Sequence, residues 1–106
     1  MASSFRTSGP HAATAWPVAT RDVTLAVPEA GPSVGDLLAV LHSADPLVTG
    51  VDVVGVHTRT EDEGTRCITF RIAMSSRWRT VPRAEANGVV ARAVAACEGW
   101  GATLRR

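Results

Sequence analysis

The 106-residue sequence predicts an α+β fold in which two helices cover one face of a small antiparallel sheet. Three observations carry that expectation. Apolar residues alternate with a period of two in the segments Val23–Val27 and Ile68–Met74, and on either side of a one-residue slip in Val51–Val56, as half-buried strands require. They recur at spacings of three and four from Val34 and from Ala86, as amphipathic helices require. The segments run strand, helix, strand, strand, helix, and a short final strand, Ala102 to Arg105, follows Gly99 and Gly101.

Each element has its own punctuation. The first strand, Asp22 to Val27, turns Val23, Leu25 and Val27 to one face and Asp22, Thr24 and Ala26 to the other. Pro28 to Pro32 breaks it. Ser33 is placed to cap a helix, with Asp36 three residues on in a capping-box position. Val34, Leu37, Leu38 and Leu41 form the helix's apolar stripe, and Asp45-Pro46 ends it because a residue before proline disfavours the helical region. The second strand spans about Val48 to Thr58, and its alternation slips by one, which predicts a bulge near Val53–Gly55. The charged segment 59–64 reads as a hairpin loop. In the third strand, Thr65 to Met74, Ile68, Phe70, Ile72 and Met74 point inward, and Cys67, Thr69, Arg71 and Ala73 outward. Pro82 suits the first turn of the second helix, whose stripe is Ala86, Val89, Val90, Ala93 and Cys97. Two helices over the one apolar face of four antiparallel strands make a ferredoxin-like two-layer sandwich, β-α-β-β-α-β.

The domain proper is expected over residues 16–106. Residues 1–15 are rich in Ser, Thr, Ala, Gly and Pro without any period, which predicts a flexible N-terminal arm. Trp16-Pro17 closes the arm as a packing anchor. The chain contains no apolar run of membrane-spanning length, no secretory pattern, and two cysteines, Cys67 and Cys97, that match no metal or disulfide spacing. A cytoplasmic protein without cofactor or metal is the expectation.

Net charge is +1, and every basic side chain other than histidine is arginine. Dedicated RNA binders usually carry a larger positive excess, because phosphate contacts dominate their affinity. The outer sheet face, with Thr24, Ala26, Thr69, Arg71, Thr103 and Arg105, lacks the stacking aromatics of an RNA-recognition motif. The segment Arg77-Trp78-Arg79 is the local RNA candidate, a basic loop with one aromatic for stacking; the alternative is a loop with Trp78 tucked against the helix.

Short anchors recur in a fixed order along the chain: aromatic-Pro at Trp16-Pro17, Arg21-Asp22 opening the first strand, Arg79-Thr80 before the second helix with Glu85 and Asn87 in its opening turns, and Leu104-Arg105 at the end. In this order and spacing they resemble the ferredoxin-fold anticodon-binding domain at the C-terminus of bacterial phenylalanyl-tRNA synthetase β subunits. The resemblance covers about residues 16–106. It implies contact with tRNA near the anticodon stem, and it carries over Arg21, Asp22, Arg71, Arg79, Thr80, Glu85 and Arg105 position by position. The sequence departs from that pattern at Val54-Gly55-Val56-His57, where Phe-Asp-Val-Tyr is usual, at Pro82 for a capping Thr, and at Cys67 for Ser. An ion-pair clamp of Arg21, Asp22 and Arg105 joining the first and last strands is the structural alternative to RNA contact.

Three functional readings follow. The first is a free-standing tRNA-type RNA-binding module, contacting RNA through Arg21, Arg71, Arg77, Trp78, Arg79 and Arg105, without aminoacylation activity of its own. The second is a recruited small enzyme or ligand-binding protein of specialised metabolism, with His57 as acid-base group beside Arg71 and Asp22 on the open face; no Ser-His-Asp order or phosphate-binding glycine loop accompanies them. The third is a docking or homodimerisation domain that uses the open sheet face or an edge strand.

Overall fold

A computed structural model describes residues 17–58 and 64–105. Its elements are β1 (Ala19–Pro28), α1 (Val34–His42), β2 (Val48–Thr58), β3 (Thr65–Met74), α2 (Arg83–Glu98) and β4 (Thr103–Arg105). The strands form one antiparallel sheet in the order β2-β3-β1-β4. This is the ferredoxin-like arrangement that the periodicity predicts. The arm, Trp16 and most of the charged hairpin segment lie outside the described residues. Among the described residues, no helix is long and apolar enough to cross a membrane.

The core forms where the two kinds of period meet. Leu25 and Val27 from β1, Ile68, Phe70, Ile72 and Met74 from β3, Leu37 and Leu41 from α1, and Ala86, Val89, Ala93 and Cys97 from α2 are fully buried together. Val94 is buried too, whereas Val90, assigned to the stripe from sequence, is only partly buried. Small residues dominate the inward face of α2, which lets it lie close to the sheet. Cys97 sits deep in this layer, and burial pushes its thiol up to about 11.

Local chemistry sets the element ends. The capping box at Ser33 forms as expected: Ser33 Oγ accepts from the Asp36 N–H at 3.0 Å, and the Asp36 carboxylate accepts from the Ser33 N–H at 3.1 Å. Pro82 stands at the N-cap of α2 with extended backbone, one place earlier than the first-turn position expected, and supplies no side-chain cap. β1 begins at Ala19, three residues before the expected start, because β3 continues to Met74 and pairs with it. β4 begins at Thr103 because the Ala102 N–H is spent on the Cys97 carbonyl at 3.2 Å, closing the end of α2. Gly101 makes that turn with a φ of 101°, a conformation side chains resist. The expected β2 bulge lies between Val53 and Gly55; a second irregularity, between Val48 and Gly50, has no counterpart in the sequence reading.

Candidate functional site

Register fixes the open face of the sheet. One cross-strand row places Asp52, Arg71 and Asp22 side by side, from β2, β3 and β1. The next places Gly55, Thr69, Thr24 and Arg105 in line, and the one after it His57, Cys67, Ala26 and Thr103. Thr24 and Thr69 join their hydroxyls at 2.8 Å.

Arg71 is the centre of this face. Its Nε donates to Asp22 Oδ1 at 2.9 Å and its Nη2 to Asp22 Oδ2 at 3.1 Å, a bidentate pair. The hydrogen bond from Arg71 holds the Asp22 carboxyl below its usual range. Asp52 adds a second negative field from the other side. The guanidinium is therefore already committed and locally neutralised. A phosphate reaching it would have to displace Asp22, so Arg71 is a weaker anion receptor than its position on an open face suggests.

The structure rearranges the expected clamp. Asp22 bonds Arg71 and so joins β1 to β3, not β1 to β4. Arg21 lies on the other face, opposite Ile72, where its Nε donates to Asn87 Oδ1 at 3.3 Å and its Nη1 to the Thr20 carbonyl at 2.8 Å. Arg21 thus belongs to the helix side and is not part of the open-face set with Arg71 and Arg105. Arg105 borders a shallow depression on the open face with Ala26, Pro28, Thr65, Gly101 and Thr103.

The enzyme constellation does not assemble. His57 is exposed at the end of β2 opposite Cys67, four residues along β3 from Arg71. That separation is about 13 Å at strand rise, so His57 and Arg71 do not face one small substrate. The Cys67 side of that row is closed as well, the residue being 4% exposed.

The connection between β3 and α2 is different. Trp78 is 81% exposed, so of the two readings of this loop the one in which it tucks against the helix is not realised. Its backbone N–H donates to Ser76 Oγ at 3.1 Å, which shapes the turn. Arg79 forms a bidentate pair with Glu85 in the first turn of α2, with Nη2 to Oε2 at 2.7 Å. The hydrogen bond from Arg79 lowers the Glu85 pKa. The loop is therefore pinned to the helix beside a projecting indole. A third pair, Arg92 with Asp45 at 2.7 Å, ties α2 to the turn after α1 and was not singled out from sequence. Its only signal there is the Asp-Pro helix stop. Sequence reading also missed the exposure of Val53, Val54 and Val56 on β2.

No family model matches the chain, and no curated protein matches it at a significant level.

Proposed function

We propose that the domain is an RNA-binding module that engages an unpaired stretch of a tRNA-type RNA through the loop before α2. The observation that carries the reading is Trp78, a large aromatic left 81% exposed between two arginines. Exposing an indole sacrifices burial, and a base stacking on it recovers that loss in a way that tolerates any base. Arg77 and Arg79 stand at the flanks to meet the phosphates on either side of the stacked nucleotide. Arg79 is held by Glu85 as Arg71 is held by Asp22, so a phosphate reaching it must share or displace that carboxylate. The projecting indole, not Arg79, is what favours this loop over the open face. The tRNA class of the partner rests on the resemblance of the anchor order to anticodon-binding domains.

A nearly neutral chain restricts the mode. With two or three phosphates contacted, log affinity should fall against log salt with a slope of about −1.4 to −2.1. Titration of labelled tRNA by fluorescence anisotropy across a salt series measures that slope. Absence of binding to any tRNA at low ionic strength and at tens of micromolar protein, on the order expected for a weak non-specific complex, would sink the proposal.

A further inference from the structure

Strand β2 is the outermost strand on its side of the sheet. Edge strands invite pairing, and natural ones are usually blunted by lysine, proline, shortness or bulges. β2 has neither residue and is 11 residues long, with its register shifts at Val48/Gly50 and Val53/Gly55 as its defence. Val53, Val54 and Val56 are all exposed along it, the last two at 45% and 53%. Val53 and Val56 sit opposite the buried Phe70 and Ile68, on the helix side of the sheet, yet remain uncovered.

The bulge gives this edge a symmetry. Asp52 and His57 lie on the open face, opposite Arg71 and Cys67, and Val53 and Val56 lie on the helix face. Between them Val54 is the extra residue of the bulge and Gly55 pairs with Thr69. On either side of the slip the faces of Asp52, Val53, Val56 and His57 read the same forwards and backwards. A strand with that property can pair antiparallel with a second copy of itself about a two-fold axis, every side chain meeting one on its own face. In that register Asp52 meets His57, Val53 meets Val56, and Val54 meets Gly55, whose missing side chain makes room for it. Asp52 is the one carboxylate of the strand and His57 its one imidazole, and the two-fold brings them together twice. An imidazole N–H donates to a carboxylate in either protonation state.

We propose that this chain forms a two-fold homodimer through β2, with Val53, Val54 and Val56 as its apolar centre and Asp52–His57 contacts at both ends, making one continuous eight-stranded sheet. The proposal is independent of RNA binding, because no residue of the Arg77–Arg79 loop takes part.

Sedimentation velocity on the full chain, up to about 1 mM so that even a weak association registers, should give a species of twice 11.1 kDa. Val54→Lys should leave a monomer. Asp52→His and His57→Asp each set like groups opposite one another twice and should weaken the dimer roughly tenfold or more. The double variant Asp52→His/His57→Asp restores the pairing in this register alone and should recover the dimer. Circular dichroism melting separates loss of pairing from loss of folding; if Val54→Lys does not fold, the charge variants decide. A wild-type monomer at every concentration, a dimer indifferent to Val54→Lys, or a double variant as weak as the single ones would overturn it.

Discussion

Trp78 and Arg71 show how exposure and commitment separate two residues that the sequence offers equally. Arg71 lies on an open face but is held by Asp22 and flanked by Asp52. Trp78 is in a loop, makes no use of its indole in the core, and is pinned through its backbone N–H to Ser76. Replacing Trp78 by Ala should therefore leave the fold nearly untouched, within about 0.5 kcal/mol of wild type as for exposed positions generally. The same change should weaken RNA binding by about 1–3 kcal/mol, roughly 5- to 150-fold, if a base stacks there. Thermal melting and anisotropy measured on one preparation check both halves. Arg71→Ala should change RNA affinity much less, since its charge is already answered within the sheet; an equal loss from Arg71→Ala would move the interface to the open face. The parity that excludes Arg21 from that face was legible in the sequence, because Arg21 alternates in step with Val23, Leu25 and Val27. That Asp22 bonds Arg71 and not Arg105 was not legible. It depends on the register between β1 and β3, which are 49 residues apart at this pair, and no local period encodes a non-local register.

At the scale of elements, what was legible is what local chemistry decides. The cap at Ser33, the inward stripes of β1 and β3, and the bulge near Val54 all follow from neighbours within a few residues. The misjudged ends were set from elsewhere: β1 starts early because β3 is long enough to pair with it, and β4 starts late because an N–H belongs to the end of α2. The capping box makes a direct prediction. α1 has nine residues, too few to persist without packing and caps. Ser33→Ala removes one hydrogen-bond acceptor and should cost about 1 kcal/mol, which lowers the melting temperature by roughly 4–8 °C in a domain of this size. Ser33→Asp, which keeps an acceptor, should stay near wild type. Equal melting of Ser33→Ala and wild type by circular dichroism would mean that tertiary packing alone holds the first turn. The arrangement also explains why Asn87 and Glu85 accompany Arg21 and Arg79 in the sequence. Arg21 reaches Asn87 and Arg79 reaches Glu85, so the anchors are in part the fastenings of α2 to β1 and to its own leading loop.

At the scale of the whole molecule, three ion pairs among the described residues join parts that the core alone would leave to slide. Asp22–Arg71 spans β1 and β3, Glu85–Arg79 fastens the loop to α2, and Asp45–Arg92 links the end of α1 to α2. Exposed pairs contribute modestly one at a time, but these three share a pH dependence of one sign. All three carboxyls titrate lower in the fold than their ordinary values, 3.8 for Asp22 and Asp45 and 4.5 for Glu85. The causes are hydrogen bonds: from Arg71 to Asp22, from the Leu47 N–H and then Arg92 to Asp45, and from Arg79 to Glu85. The unfolded chain therefore takes up these protons first as acid is added, and each bound proton favours the unfolded state. The stabilisation is fully present above about pH 5, begins to fade as the pH falls through the ordinary carboxyl range, and is gone once the folded carboxyls are themselves protonated. Urea midpoints should accordingly be level between pH 7 and pH 5 and decline steadily below, with the m-value unchanged. The variant Asp22→Asn/Asp45→Asn/Glu85→Gln should be less stable at neutral pH and lose much of that acid slope. A triple variant with wild-type midpoints at pH 7 and the wild-type decline below pH 5 would show that other carboxyls govern acid unfolding and that the three pairs only decorate the surface.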